Sequence, residues 1–150
     1  MNKKVWLILA VAVLVFTTSV ITYAYGGKNQ RPSDYRIGIA YSDAIKSDKP
    51  MLALFYVDWC GYCLKFMPRY KTISTLYKND YNVVMLNAED VQYKELVEEV
   101  TLAGFPTLYI IDTKYDNRVL LNNAIYQDLK KLRIELDRYI RIRNLLDKSN

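Results

Sequence analysis

The stretch MLALFYVDWCGYC, residues 51–63, decides how this chain is read. Met51 to Val57 is an unbroken apolar run bounded by turn signals, the pattern of a strand buried on both faces. Leu64 to Tyr77 then places apolar residues at 64, 66, 67, 70, 73, 76 and 77, a helical face with Pro68 inside to kink it. Between strand and helix lie Cys60 and Cys63, the two cysteines of the chain. The turn sets Cys60 at the helix N-terminus, where unpaired N–H groups and the helix dipole stabilise a thiolate. Such placement lowers a thiol pKa from ~8.5 into a range of roughly 3.5–7.5. Cys60 is then the exposed attacking sulfur. Cys63, one turn in and partly buried, resolves the mixed disulfide. Gly61 lets the tight turn form without steric cost.

Three other uses of the pair compete. A zinc knuckle needs two further Cys or His ligands, which this chain lacks unless a second chain supplies them. Copper on the bare pair usually recruits added Met or His. A purely structural disulfide here closes a very short loop and stabilises little through loop entropy. Histidine is absent altogether, which excludes a Cys–His nucleophile pair and a serine-hydrolase triad.

Outward from this segment the pattern alternates. Ile37 to Ser47 shows a short helical face, and Tyr81 to Ala88 reads as a second buried strand. Val91 to Val100 is an amphipathic helix. Thr107 to Asp112 and Arg118 to Leu121 flank a polar turn containing YDN, a hairpin signal. Ile125 to Leu146 reads as one long helix whose basic residues form a solvated face. The order β-α-β-α-β-β-α, led by a helix, predicts an α/β fold with a mixed central sheet flanked by helices.

The chain has 150 residues, one domain's worth, with 51% hydrophobic and 25% charged residues. Its net charge is +5, and without residues 1–24 it falls to +3, too mild a surplus to argue for nucleic acid. The 14 tyrosines are read as filling core edges and strand faces. At the N-terminus Lys3 and Lys4 precede an apolar run from Val5, and Thr22-Tyr23-Ala24 offers small residues for cleavage. The uncharged stretch continues to Tyr25, also long enough for an anchor. Residues 1–25 are therefore a signal peptide or a membrane anchor, 26–36 a polar linker, and 37–147 the folded domain. Either use of the N-terminus exports the domain, where a cysteine pair meets oxidants.

The chain at this point resembles the thioredoxin family, from about Tyr41 to Leu146. WCGYC follows a buried strand as the family's W-C-x-x-C does, and Pro68 stands where thioredoxins carry their kinking proline. GFPT, residues 104–107, matches the family's G-I-P-T segment. The resemblance implies a thioredoxin-like fold, a cis Phe105–Pro106 bond beside the sulfurs, and a site shaped by Trp59, Gly61, Tyr62, Phe105, Pro106 and Thr107. It makes Trp59 a shield beside Cys60 and the backbone of Phe105 a partner for a substrate strand. DAIKSDKPMLALFYVDWCGYCLKF is most similar to exported bacterial thioredoxin-like domains such as the C-terminal domain of the DsbD reductase. The tetrapeptide C-G-Y-C resembles that of DsbC. The implied activity is thiol–disulfide exchange on extracytoplasmic proteins by a monomer, in the periplasm or on the outer side of the inner membrane. No cofactor or metal is implied beyond the redox-active disulfide Cys60–Cys63. The implied partners are protein thiols and disulfides and a redox partner protein, not nucleic acid, with a membrane tether through the N-terminus where the anchor is kept. A non-catalytic module holding copper or a partner protein is the alternative. Leu54 stands where the family has a buried Asp, Met85 where it has the partnering Lys, and Asn123 near a groove glycine. The first two changes remove the internal base for the resolving cysteine.

Overall fold

The structure, a computed structural model, describes residues 2–25, 30–100 and 102–149, with the side chains of 16–25 outside that description. Residues 1–30 and 31–150 form separate compact units. In the first, helix α1 (Lys3–Tyr25) runs through both lysines and the uncharged stretch. Among the described residues no helix is long and apolar enough to cross a membrane. The side chains of the second half of the apolar run, with the Thr22-Tyr23-Ala24 triplet, lie outside the described residues.

The second unit holds a four-stranded sheet in the order β2-β1-β3-β4. Its strands are β1 (Met51–Tyr56), β2 (Asn82–Asn87), β3 (Thr107–Asp112) and β4 (Asn117–Leu121). β1 pairs with β2 in parallel and with β3 antiparallel, and β3 pairs antiparallel with β4. The helices are α2 (Tyr41–Ala44), α3 (Gly61–Leu76), α4 (Lys94–Val100), α5 (Asn123–Tyr126) and α6 (Leu129–Ser149).

Every residue of β1 is buried, because both faces of the sheet are covered. Alternation along the strand splits the core in two. Leu52, Leu54 and Tyr56 pack with Cys63, Phe66, Met67, Tyr70 and Ile73 of α3 and with Leu132 and Leu136 of α6. Met51, Ala53 and Phe55 pack on the other face with Leu96 and Val100 of α4. Tyr70 is fully buried, and its hydroxyl is shared between the carbonyls of Leu52 and Val84, both at 2.8 Å. That contact ties α3 to β1 and to the edge strand β2.

Three expectations need correction. The linker ends sooner than residue 36, for the folded unit reaches back to Arg31. Pro32–Tyr35 forms a 3-10 turn with Pro32 buried. The helix expected over 37–47 shrinks to α2. Gly38 has φ +86°, and a Cβ there would lie 1.9 Å from the Val83 carbonyl oxygen. The chain instead lies against β2, where Ile39 donates its N–H to Val83 at 2.9 Å.

The single C-terminal helix is two. Asn122 caps α5 by accepting the Ile125 N–H. Asp128 caps α6 by accepting the N–H groups of Lys130 and Lys131 at 2.9 and 3.2 Å. These side chains compete with continued helix for the backbone. Arg143 of α6 then pairs at 2.7 Å with Asp112, the buried carboxylate at the end of β3.

Candidate active site

The site forms where β1 runs out and α3 begins. Cys60 is the N-cap of α3, in extended conformation, and its sulfur accepts the Cys63 N–H at 3.1 Å. A sulfur so placed occupies the capping position that usually belongs to an oxygen. Cys60 is more enclosed than the sequence suggested, with 7% of its surface exposed against 0% for Cys63. Cys60 remains the outer sulfur. Both cysteines are thiols here. Burial, and then the hydrogen bond with Cys60, pushes the Cys63 thiol up to about 12.

The opposing wall comes from the loop before β3. The Phe105–Pro106 peptide is cis, and the Cys60 thiol lies 3.6 Å from the Phe105 carbonyl. Trp59 is well exposed, meets the Phe105 ring edge-on at 6.4 Å, and donates its indole N–H to Glu89 at 2.8 Å. Tyr62 is exposed as well, with the Lys65 ammonium 5.8 Å from its ring centroid. Thr107 donates its hydroxyl to the Gly104 carbonyl at 2.6 Å. The structure thus brings Trp59 and Cys60 against Phe105, with Pro106 and Thr107 next to it in the same loop and Tyr62 exposed in the first turn of α3. Gly61 has negative φ and open space where a Cβ would stand, so the turn does not require a glycine there.

Behind the pair the wall is apolar. Leu54 is fully buried and faces Met85 and Leu108 in register on the neighbouring strands. The Asp and Lys of the resemblance are thus replaced by two apolar residues side by side. Met85 acquires another partner, since its sulfur accepts the Ile37 N–H at 3.3 Å.

Sequence reasoning missed three groups. Asp58 accepts both the N–H and the hydroxyl of Ser33, at 3.0 and 2.9 Å, which fastens the 3-10 turn to the loop before Cys60. Glu89 orients Trp59. Tyr126 donates to the Pro106 carbonyl at 2.8 Å. Their partners lie 25, 30 and 20 residues away in sequence, so local patterns carry no sign of them. Among the described residues no group of three or more Cys, Asp or Glu side chains is placed to hold a metal ion.

Residues 38–132 match the family model described as Thioredoxin. The chain belongs to the thioredoxin family. Its Cys60–Cys63 pair lies within the matched residues. The chain is 27% identical over 112 residues to the chloroplastic thioredoxin-like protein HCF164 of Arabidopsis thaliana, covering 74% of this chain and 41% of that protein. It is 37% identical over 60 residues to a probable protein disulfide-isomerase A6 of Medicago sativa, covering 40% of this chain and 16% of that one. The chain therefore spans less than half the length of these relatives. The crystal structure of the germline-specific thioredoxin Deadhead of Drosophila melanogaster superimposes with a TM-score of 0.54 at 23% identity, over 65% of this chain and 90% of that one, and shows the fold. These relatives show the family and leave the narrower resemblance to exported bacterial domains unshown.

Proposed function

We propose that the chain is an exported thiol–disulfide oxidoreductase that reduces disulfides in extracytoplasmic proteins. The observation that carries the chemistry is Cys60 at the N-cap of α3. Its sulfur receives the Cys63 N–H and faces the Phe105 carbonyl. The thiolate of Cys60 attacks a substrate disulfide, and one substrate sulfur leaves and takes up a proton. Cys63 then displaces the second sulfur as a thiol and leaves the Cys60–Cys63 disulfide. A partner dithiol restores the pair. Export is supported by Lys3 and Lys4 ahead of an uncharged run to Tyr25, which a peptidase removes or the membrane retains. The segment from Asp43 to Phe66 favours the reducing direction by its likeness to the DsbD reductase domain. The protein works as a monomer with no cofactor beyond its own disulfide.

The test is a pair of measurements on the intact chain. Cys63→Ser should trap mixed disulfides with substrates through Cys60, and Cys60→Ser should trap none. The reduction potential of the pair should lie near about −270 mV, against about −120 mV for an oxidase. A Cys63→Ser chain that captures nothing refutes the activity. Digestion of the domain by protease added to spheroplasts, whose outer membrane is opened, separately decides export, and a domain that stays protected there refutes it.

A further inference from the structure

Tyr126 belongs to none of the sequence motifs that mark the site, yet it stands behind the redox pair. Its ring is 6% exposed and meets Phe66 of α3 at 5.2 Å between centroids. Its phenol donates to the Pro106 carbonyl at 2.8 Å. It shares one core cluster with Cys60, Cys63 and Phe66. The turn that carries it is fastened at each end. Asn122 caps α5 at 3.1 Å, and the Arg69 guanidinium of α3 binds the Gln127 carbonyl.

The loop from Gly104 to Thr107 needs such a fixture. Its internal bond, from the Thr107 hydroxyl to the Gly104 carbonyl, closes the loop on itself. On the outer side it meets the edge of Trp59, which is 72% exposed. The Tyr126 phenol joins the loop to the packed layer of α3 and α5.

We propose that Tyr126 is a positioning residue for polypeptide disulfide substrates. By holding the Pro106 carbonyl it keeps Phe105 beside the Cys60 sulfur, where an extended substrate chain and the attacking thiol meet. The inference rests on the thiol–disulfide exchange proposed above. Tyr126 makes and breaks no bond in that exchange; the two electrons and two protons pass from the dithiol to the substrate disulfide as already described. Its contribution is to the capture of a chain long enough to lie along the loop. A small disulfide that touches only sulfur does not need it.

The test compares the wild-type chain with Tyr126→Phe, which removes one oxygen and keeps the packed ring. With insulin as the protein disulfide and dithiothreitol as the electron source, KM should rise about fivefold, the equivalent of one neutral hydrogen bond. The kcat should stay within about twofold, since interactions that serve binding alone move KM. The reaction of the reduced pair with the small disulfide DTNB should keep its rate, and the thermal midpoint should stay within about 6 °C of wild type. An unchanged KM overturns the proposal. Equal losses with insulin and DTNB also overturn it, because they mark a general structural defect. A wild-type chain that reduces no insulin, while DTNB shows reactive thiols, overturns the functional reading and this inference with it.

Discussion

The paired substitution Leu54→Asp and Met85→Lys should accelerate the second half of the redox reaction. The two residues are Cα partners across β1 and β2, and Leu54 shares the core cluster of Cys63. Cys63 is fully buried, and its thiol is pushed up to about 12 by burial and by the neighbouring Cys60. At pH 7 a thiol of that pKa is ionised to roughly one part in 10⁵, against a few per cent at the ordinary ~8.5. Burial disfavours the charged form, so the resolving thiolate grows tenfold with each pH unit up to about 12. A buried carboxylate at position 54 supplies a base, and the ammonium brought in on β2 spares it the several kcal/mol that a lone buried charge costs. Resolution at pH 7 should then quicken by at least about tenfold, the lower end of ordinary general-base effects.

The assay is rapid mixing of the reduced chain with DTNB. The first thionitrobenzoate released reports Cys60, and the second reports attack by Cys63. In the wild type the second phase should rise with a slope near one in log rate against pH from about 6 to about 9, below the raised thiol value. In the double variant it should be faster and flatter, while the first phase changes little. A wild-type second phase that ignores pH over this range refutes the reasoning, since Cys63 then has a proton acceptor of another origin.

Three further outcomes follow from the same geometry. Arg143→Ala strands the Asp112 carboxylate, which is 1% exposed and paired at 2.7 Å, so unfolding in urea should show a loss of about 3–5 kcal/mol. Arg143→Lys should recover only part of it, because the guanidinium also binds Asp147 and the Asp48 carbonyl. Gly38→Ala forces a Cβ against the Val83 carbonyl at positive φ and should cost more than about 1 kcal/mol on the same assay, with redox chemistry retained. Tyr56, Tyr77 and Tyr139 are each raised to about 12, chiefly by burial. A raised folded value means their contribution to stability is complete below the unfolded value near 10 and drains away between about 10 and 12. Chemical denaturation followed from pH ~8 to ~12 should therefore show a level plateau and then a fall beginning near 10.

What the sequence made legible was whatever repeats locally. The run from Met51 to Val57 reads as a buried strand because both faces are covered, and the spacing 63, 66, 67, 70, 73 is the buried stripe of α3. The position of the cysteines followed from that junction. The split between α5 and α6 was written in Asn122 and Asp128, two capping residue types, but the apolar spacing ran smoothly across them and prevailed. Ile37 to Ser47 gave a helical face of which only Tyr41–Ala44 is helix, because the residues before it lie along β2, with the Ile39 N–H on Val83 and Ile37 in the core. Asp58, Glu89 and Tyr126 were invisible for a different reason. Each acts through contact with one distant segment, and no local pattern announces a partner 20 or more residues away.

The bond between Ser33 and Asp58 sets a practical boundary for anyone handling the domain. A fragment cut at residue 37, where the apolar pattern starts, would discard Pro32 from its buried seat and leave the Asp58 carboxylate without either donor, two residues ahead of Cys60. Such a fragment would still contain both cysteines and all four strands, yet its redox behaviour would belong to a differently braced loop. A fragment beginning at Gln30 or earlier keeps the brace.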